Sequence, residues 1–200
     1  IAALGVILPR VIGPAYEIFN LMPTWDEIAA HTQLMVAFGG LALKNSQVNV
    51  QGVAIHSAED RQRACRAAGV QFVNISPVRD DTADFLEAEW VAPRPNTDTA
   101  VMLGLAHTLV AEDLHDRDFL QRCCTGFEHF RAYLMGELDG RPKDAEWAAR
   151  ISGLSAEWIR GLARRIAARR TLIGLSWSLN RADHGEQPYW MAVTLAAMSG

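Results

Sequence analysis

The side chains best suited to grip a charged, ring-bearing ligand are Lys44, Asn45, Ser76, Asn96, Asp98, Trp177, Ser178, Asn180, Arg181 and His184, and they fall in a few short clusters. These read GGLALKNSQ from Gly39, SPVRDDTADF from Ser76, PNTD from Pro95 and SWSLNRADHGEQ from Ser176. Lysine offers a point charge to a phosphate, and asparagine a two-sided hydrogen-bonder for a phosphate or a sugar. The Asp98 carboxylate can accept two N–H bonds from a guanine edge, and Trp177 supplies a plane for stacking. Glycines before Lys44 leave bare peptide N–H groups, if a strand, a glycine turn and a helix follow one another there.

Each cluster has a plainer reading. Lys44 and Asn45 suit an exposed loop. Asp98 is an ordinary helix N-cap, worth about 1 kcal/mol, and Arg79, Asp80 and Asp81 are a helix start with an acidic first turn. His31, His107 and His129 fit helix surfaces or packing, and Trp25, Trp90, Trp147, Trp158 and Trp190 fit core stripes. The sequence holds no GxGxxG and no GxxxxGK[ST], so ordinary dinucleotide and Walker-type phosphate loops are not supported. The spacing of His184 from other His or Cys residues gives no metal site. The last cluster is the hardest to explain structurally, because a plain turn does not need Trp177, Ser178, Asn180, Arg181, His184 and Gln187 together.

The elements that must position these clusters are β-like apolar runs at 34–39, 71–75 and 171–177, each ending where a polar cluster begins. LMVAFGG is apolar throughout, as in a strand covered on both faces. Around the runs, helices are predicted at 25–31 with a Thr24–Glu27 capping box, at 57–68 stopped by Gly69, and in a short stretch within 80–90. More are predicted at 99–111 capped by Asp98, and at 116–123, 128–135, 144–151, 155–169 and 188–198. Strands alternating with amphipathic helices predict a doubly wound α/β fold, a mainly parallel sheet with helices on both faces. Ligands bind beyond the carboxyl ends of such strands. Domain organisation is read as a single α/β domain over 1–200, with a lead-in at 1–32 and a dinucleotide-binding core at 33–200.

At 200 residues, half of them apolar, the chain can bury a core without disulfides or metals. A net charge of −4 disfavours nucleic-acid binding, and no run approaches the roughly 20 apolar residues of a membrane span. Cys65, Cys123 and Cys124 suit neither a disulfide framework nor a tetrahedral metal site, and read as reduced packing residues. Beginning at Ile1 inside an apolar run, the chain reads as an interior piece of a longer polypeptide, which leaves the compartment open between cytoplasm and periplasm.

FGGLALKNSQ, VNISPVRDDTADF, APRPNTDTAVMLGLAHTLVAEDLHDRDFL, AYLMGELDGRPKDAEWAARISG and SWSLNRADHGEQPYWM together resemble the molybdopterin guanine dinucleotide S- and N-oxide reductases. These are the dimethyl sulfoxide, trimethylamine N-oxide and biotin sulfoxide reductases. The resemblance runs from about Val6 to the end of the chain. It implies a bis(molybdopterin guanine dinucleotide) molybdenum cofactor, and oxygen-atom transfer from an S-oxide or N-oxide with electrons returning through the pterin dithiolenes. The cofactor contacts it implies fall on Lys44 and Asn45, on Ser76 and Pro77, on Asn96, Thr97 and Asp98, and on Trp177, Ser178 and Arg181. The segment would clamp one guanosine arm and bring Trp177 and Arg181 near the pterin. The molybdenum ligand itself is expected upstream of Ile1, so no metal ligand is assigned here. Ala42 stands where the family often has Pro, and Ser76 where it frequently has Asp, which puts a carboxylate contact to the sugar at Ser76 in doubt. HGEQPYW and the serine look closest to the biotin sulfoxide branch. Two readings of other classes stand beside this one: a non-catalytic scaffold or electron-transfer subunit that kept the fold and lost the cofactor, and an unrelated nucleotide-binding α/β enzyme, such as a thiamine diphosphate enzyme's middle domain. Retention of Lys44, Asp98, Trp177 and Arg181 speaks against the scaffold. The physiological oxide, the electron donor and the oligomeric state are not written in the sequence.

Overall fold

The apolar runs become strands because each has two faces to bury. In the computed structural model, which describes residues 3–14, 22–45 and 56–200, β1 (Leu34–Phe38), β2 (Gln71–Ile75), β3 (Glu89–Val91) and β4 (Thr171–Leu175) form one sheet in the order β3-β2-β1-β4. Every pairing is parallel. Helices cover both faces: α1 (Leu8–Val11), α2 (Trp25–His31), α3 (Ala58–Ala67), α4 (Asp98–Ala111), α5 (Arg117–Cys123), α6 (Phe127–Leu134), α7 (Ala145–Ser152), α8 (Ala156–Ala167) and α9 (Gln187–Ser199).

Strand side chains alternate between faces, and the two cores divide accordingly. Leu34, Val36, Phe38, Val73 and Ile75 belong to the larger core with Met102 and Leu105 of α4, Ala148 of α7, Ile159 and Leu162 of α8 and Leu195 of α9. Met35 and Phe72 belong to the smaller core with Ile28 of α2, Cys65 of α3, Val70 and Leu86. All five residues of β1 are buried, as its unbroken apolar run requires. The doubly wound, parallel fold expected from the sequence is the fold observed.

Helix ends follow local chemistry. Thr24 and Glu27 form the expected capping box, with Thr24 N donating to Glu27 Oε2 at 2.8 Å and Glu27 N to Thr24 Oγ1 at 3.3 Å. Asp116, Asp144 and Ser155 cap α5, α7 and α8 through side-chain oxygens. Three expectations are corrected. The short helix placed within 80–90 is two 3-10 turns, Arg79–Asp81 and Asp84–Leu86, followed by the edge strand β3. Asp98 is not a cap: it is the first residue of α4, whose N-cap is Thr97 and has no side-chain capping bond. Trp90 and Trp190 are 41% and 45% exposed rather than core. The three cysteines are free, and Cys65 is a fully buried packing residue. No helix among the described residues is long and apolar enough to cross a membrane.

Candidate functional site

The strand ends are level. Phe38 pairs with both Ile75 and Leu175, so β1, β2 and β4 stop in register. One further hydrogen bond lies beyond each ladder: Gly39 N to Ile75 O and Ser176 N to Phe38 O, both at 2.8 Å, and Ser76 N to Val91 O at 3.1 Å. The four polar clusters therefore leave the sheet along one carboxyl edge. With β2 and β3 on one side of β1 and β4 on the other, the order of strand addition reverses at β1. Ligand crevices in such sheets form at a reversal of strand order, which falls here between Gly39 and the 3-10 turn Trp177–Arg181.

Two glycines let the loops close on one another. Gly39 has φ +80°, and a Cβ there would lie 2.8 Å from Ser176 Cβ and 3.4 Å from Ser178 Oγ. Gly40 has φ +85°, and a Cβ would lie 2.4 Å from Asp81 Cβ and 2.7 Å from Asp81 O. Positive φ and the lack of room both require glycine. Leu41 N donates to Asp81 O at 2.6 Å and completes the seam between the loops after β1 and β2.

Lys44 and Asn45 sit exposed in the 3-10 turn Leu43–Asn45, and the helix expected to follow falls on residues outside the described ones. Ser46 and Gln47, which close the first motif, lie outside the described residues. Ser76 is buried and Pro77 exposed. Ser76 Oγ donates to Asp81 Oδ2 at 2.8 Å and accepts from Val78 N at 3.2 Å, while its carbonyl accepts from Trp90 Nε1 at 2.9 Å. Asn96 adopts φ +63°, a left-handed conformation that asparagine tolerates better than most residues. Thr97 Oγ1 donates to Arg94 O at 2.6 Å. Arg94 is a support that sequence reasoning missed: its Nη1 reaches the carbonyls of Arg150 and Ile151 at 2.8 and 3.1 Å, which ties this turn to the end of α7.

Asp98 is 6% exposed, and no side chain or peptide of another described residue donates to its carboxylate. Burial pushes its pKa up, opposed only by its own peptide N–H. A buried carboxylate whose one donor is its own peptide N–H keeps acceptor capacity for a ligand edge bearing paired N–H groups, and structural capping does not account for it. In the fourth cluster Ser176 Oγ lies 3.0 Å from Ser178 Oγ, and Tyr189 donates its hydroxyl to Ser176 O at 3.0 Å, its phenol pushed up in pKa by burial. Asn180 Oδ1 accepts from Ala3 N at 3.3 Å, joining the amino-terminal turn to this loop. Trp177 is 44% exposed, Arg181 is exposed, and no carboxylate pairs with Arg181 among the described residues. His184 is exposed beside Asp183 and Glu186, and no His, Cys, Asp and Glu group able to hold a metal ion occurs among the described residues. Sequence reasoning also missed Asp81. Its signal was its place six residues after a buried strand, which reads equally as an acidic first turn.

Similarity to known proteins runs over the same residues. Residues 30–200 match the molybdopterin oxidoreductase family. The chain is 47% identical over 199 residues to a dimethyl sulfoxide/trimethylamine N-oxide reductase of Cereibacter sphaeroides, an alignment covering 100% of this chain and 24% of the relative. It is also 47% identical over 200 residues to a biotin sulfoxide reductase of that organism, covering 100% and 27%. Trimethylamine-N-oxide reductase 1 of Escherichia coli (strain K12) is 43% identical over 204 residues, covering 99% and 24%. The chain thus spans about a quarter of the length of these relatives. Equal identity to the first two does not single out the biotin sulfoxide branch. Acetylene hydratase from Pelobacter acetylenicus superposes with a TM-score of 0.67 at 22% identity, over 86% of this chain and 22% of that one, a likeness of fold alone. The level strand ends, the glycine seam and the family match over 30–200 lead to one conclusion: the chain belongs to the molybdopterin oxidoreductase family.

Proposed function

We propose that this segment holds one guanosine arm and the adjoining pterin of a bis(molybdopterin guanine dinucleotide) molybdenum cofactor, in a full-length protein that reduces S-oxides or N-oxides. When bound, that group supplies two-electron reduction with removal of the oxide's oxygen atom; the chain's own residues bind and orient it. The observation that carries the reading is Asp98, a buried carboxylate lacking any donor from another described residue at the start of a helix that follows the sheet's carboxyl edge. Its two oxygens accept N–H groups of the guanine edge. Lys44 and Asn45 meet phosphate and sugar from the turn after β1, and Ser76 and Pro77 line the sugar's side after β2. Asn96 and Thr97 set the turn that presents Asp98. Trp177, Ser178 and Arg181 lie toward the pterin, where the Arg181 cation stabilises negative charge. The nucleotide-holding part is residues 33–200, with 1–32 leading into it.

The test uses the full-length protein. Wild type should carry molybdenum and guanine nucleotide and reduce S-oxides. Arg181→Ala should keep its molybdenum yet turn over at least about tenfold more slowly per molybdenum, as loss of a positioned charge near a reacting group commonly does. A wild-type protein with no guanine nucleotide, or an Arg181→Ala variant with normal turnover per molybdenum, would contradict these assignments.

A further inference from the structure

Ser76 carries no charge, yet a carboxylate stands beside it. Asp81 Oδ2 accepts the Ser76 hydroxyl at 2.8 Å, and the same serine oxygen is fixed by Val78 N at 3.2 Å. The Asp81 backbone is fixed too. Its carbonyl accepts from Leu41 N at 2.6 Å, and its Cβ occupies the space that any side chain at Gly40 would need. Asp81 is therefore wedged between the loops after β1 and β2, with one carboxylate oxygen engaged and the other bonded to no described residue. Two neighbours supply an independent sign that polar groups here await a partner: Asn74 Oδ1 and Thr82 Oγ1 are buried without a hydrogen bond to any described residue. Asn74 is on the same strand face as Ser76, two residues before it, and Thr82 follows Asp81 directly. Buried polar atoms are nearly always paired, so two orphans flanking one oriented carboxylate are unusual in a plain turn.

In doubly wound sheets the end of the second strand is where a carboxylate accepts the hydroxyls of a nucleotide's ribose, because that end flanks the crevice holding the phosphates. We propose that Asp81, held in place by Ser76, is the ribose acceptor for the guanosine arm in this chain. The proposal rests on the cofactor reading above. Asp81 touches the sugar, Ser76 is a positioning residue that fixes one carboxylate oxygen, and the free oxygen accepts the ribose hydroxyl in a charge-assisted bond. The acidic charge a ribose needs is thus supplied from six residues beyond the strand end.

Three variants of the full-length protein test this: Asp81→Asn, which keeps an acceptor for Ser76 but removes the charge; Ser76→Ala; and the exchange Ser76→Asp with Asp81→Ser. The readouts are guanine nucleotide per chain, the rate at which nucleotide is lost from the loaded protein during incubation, and the melting temperature of the cofactor-free protein. Asp81→Asn should lose nucleotide about tenfold faster with an unchanged cofactor-free melting temperature, since a charged acceptor is exchanged for a neutral one of the same shape. Ser76→Ala should lose it faster by a smaller factor, and the exchange should restore retention toward wild type. Wild-type loss rates in Asp81→Asn would overturn the proposal while leaving the cofactor reading intact. Absence of guanine nucleotide from the wild-type protein would overturn the cofactor reading, and the proposal with it.

Discussion

Asp98 is held against its own solvation. A carboxylate this buried is disfavoured in its charged form, and the favourable field at the start of α4 only partly offsets the loss of water. Burial raises its pKa above the ordinary carboxylate value, so the folded chain binds a proton over a window where the unfolded chain has lost it. The contribution of Asp98 to the stability of the cofactor-free protein should therefore fall as pH rises from the ordinary carboxylate pKa of about 3.9 through the raised folded value, and stay level above it. Asp98→Asn removes this dependence. In denaturant titrations of the cofactor-free protein, the variant should gain on wild type with rising pH and be the more stable at neutrality. A destabilised Asp98→Asn at neutral pH would mean that the carboxylate serves the fold. The type and place of Asp98 were legible in the letters NTD. Its failure to cap was not, because capping depends on the φ and ψ of Thr97, which no single letter specifies.

At the scale of elements, what sequence makes legible is whatever a local pattern forces. An unbroken apolar run forced β1, mostly apolar β-prone runs forced β2 and β4, and Ser, Thr or Asp before an amphipathic stretch forced the starts of α2, α5, α7 and α8. β3 escaped because it has three residues at a sheet edge, with Glu89 and Trp90 exposed, so it has no apolar alternation to find. Its existence depends on β2 being beside it. Close approaches are equally hidden in sequence. Gly104 stands inside α4 at its crossing with α7 and α8, where a Cβ would lie 2.7 Å from Ala148 Cβ and 3.2 Å from Ile159 Cγ2. Gly104→Ala gains up to about 1 kcal/mol of helix propensity but overpacks a crossing whose neighbours are backbone-near atoms, at a cost of about 1–3 kcal/mol. We expect net destabilisation, read as a lower denaturation midpoint with an unchanged denaturant slope. A stabilised variant would mean the helices can separate without cost.

Across the whole molecule, the parallel sheet gathers residues from 44 to 181 along one edge, so the candidate site has no counterpart in any short stretch of chain. The sequence marked the clusters, while the register that makes Phe38, Ile75 and Leu175 level is a property of the assembled sheet. The seam of Gly39, Gly40, Ser76 and Asp81 is likewise visible only once neighbouring loops meet. The chain spans about a quarter of the length of these relatives. Clamping of a guanosine arm by this segment, as proposed, bears on one quantity: guanine nucleotide retained per chain by full-length Asp98→Ala. Removing a charged acceptor leaves the guanine donors unpaired, at roughly 1.5–3 kcal/mol, so retention should weaken about 10- to 100-fold. Because Asp98 caps no helix, the loss cannot be attributed to a missing cap. Guanine nucleotide held at the wild-type level by the Asp98→Ala protein would mean that Asp98 does not hold the guanine.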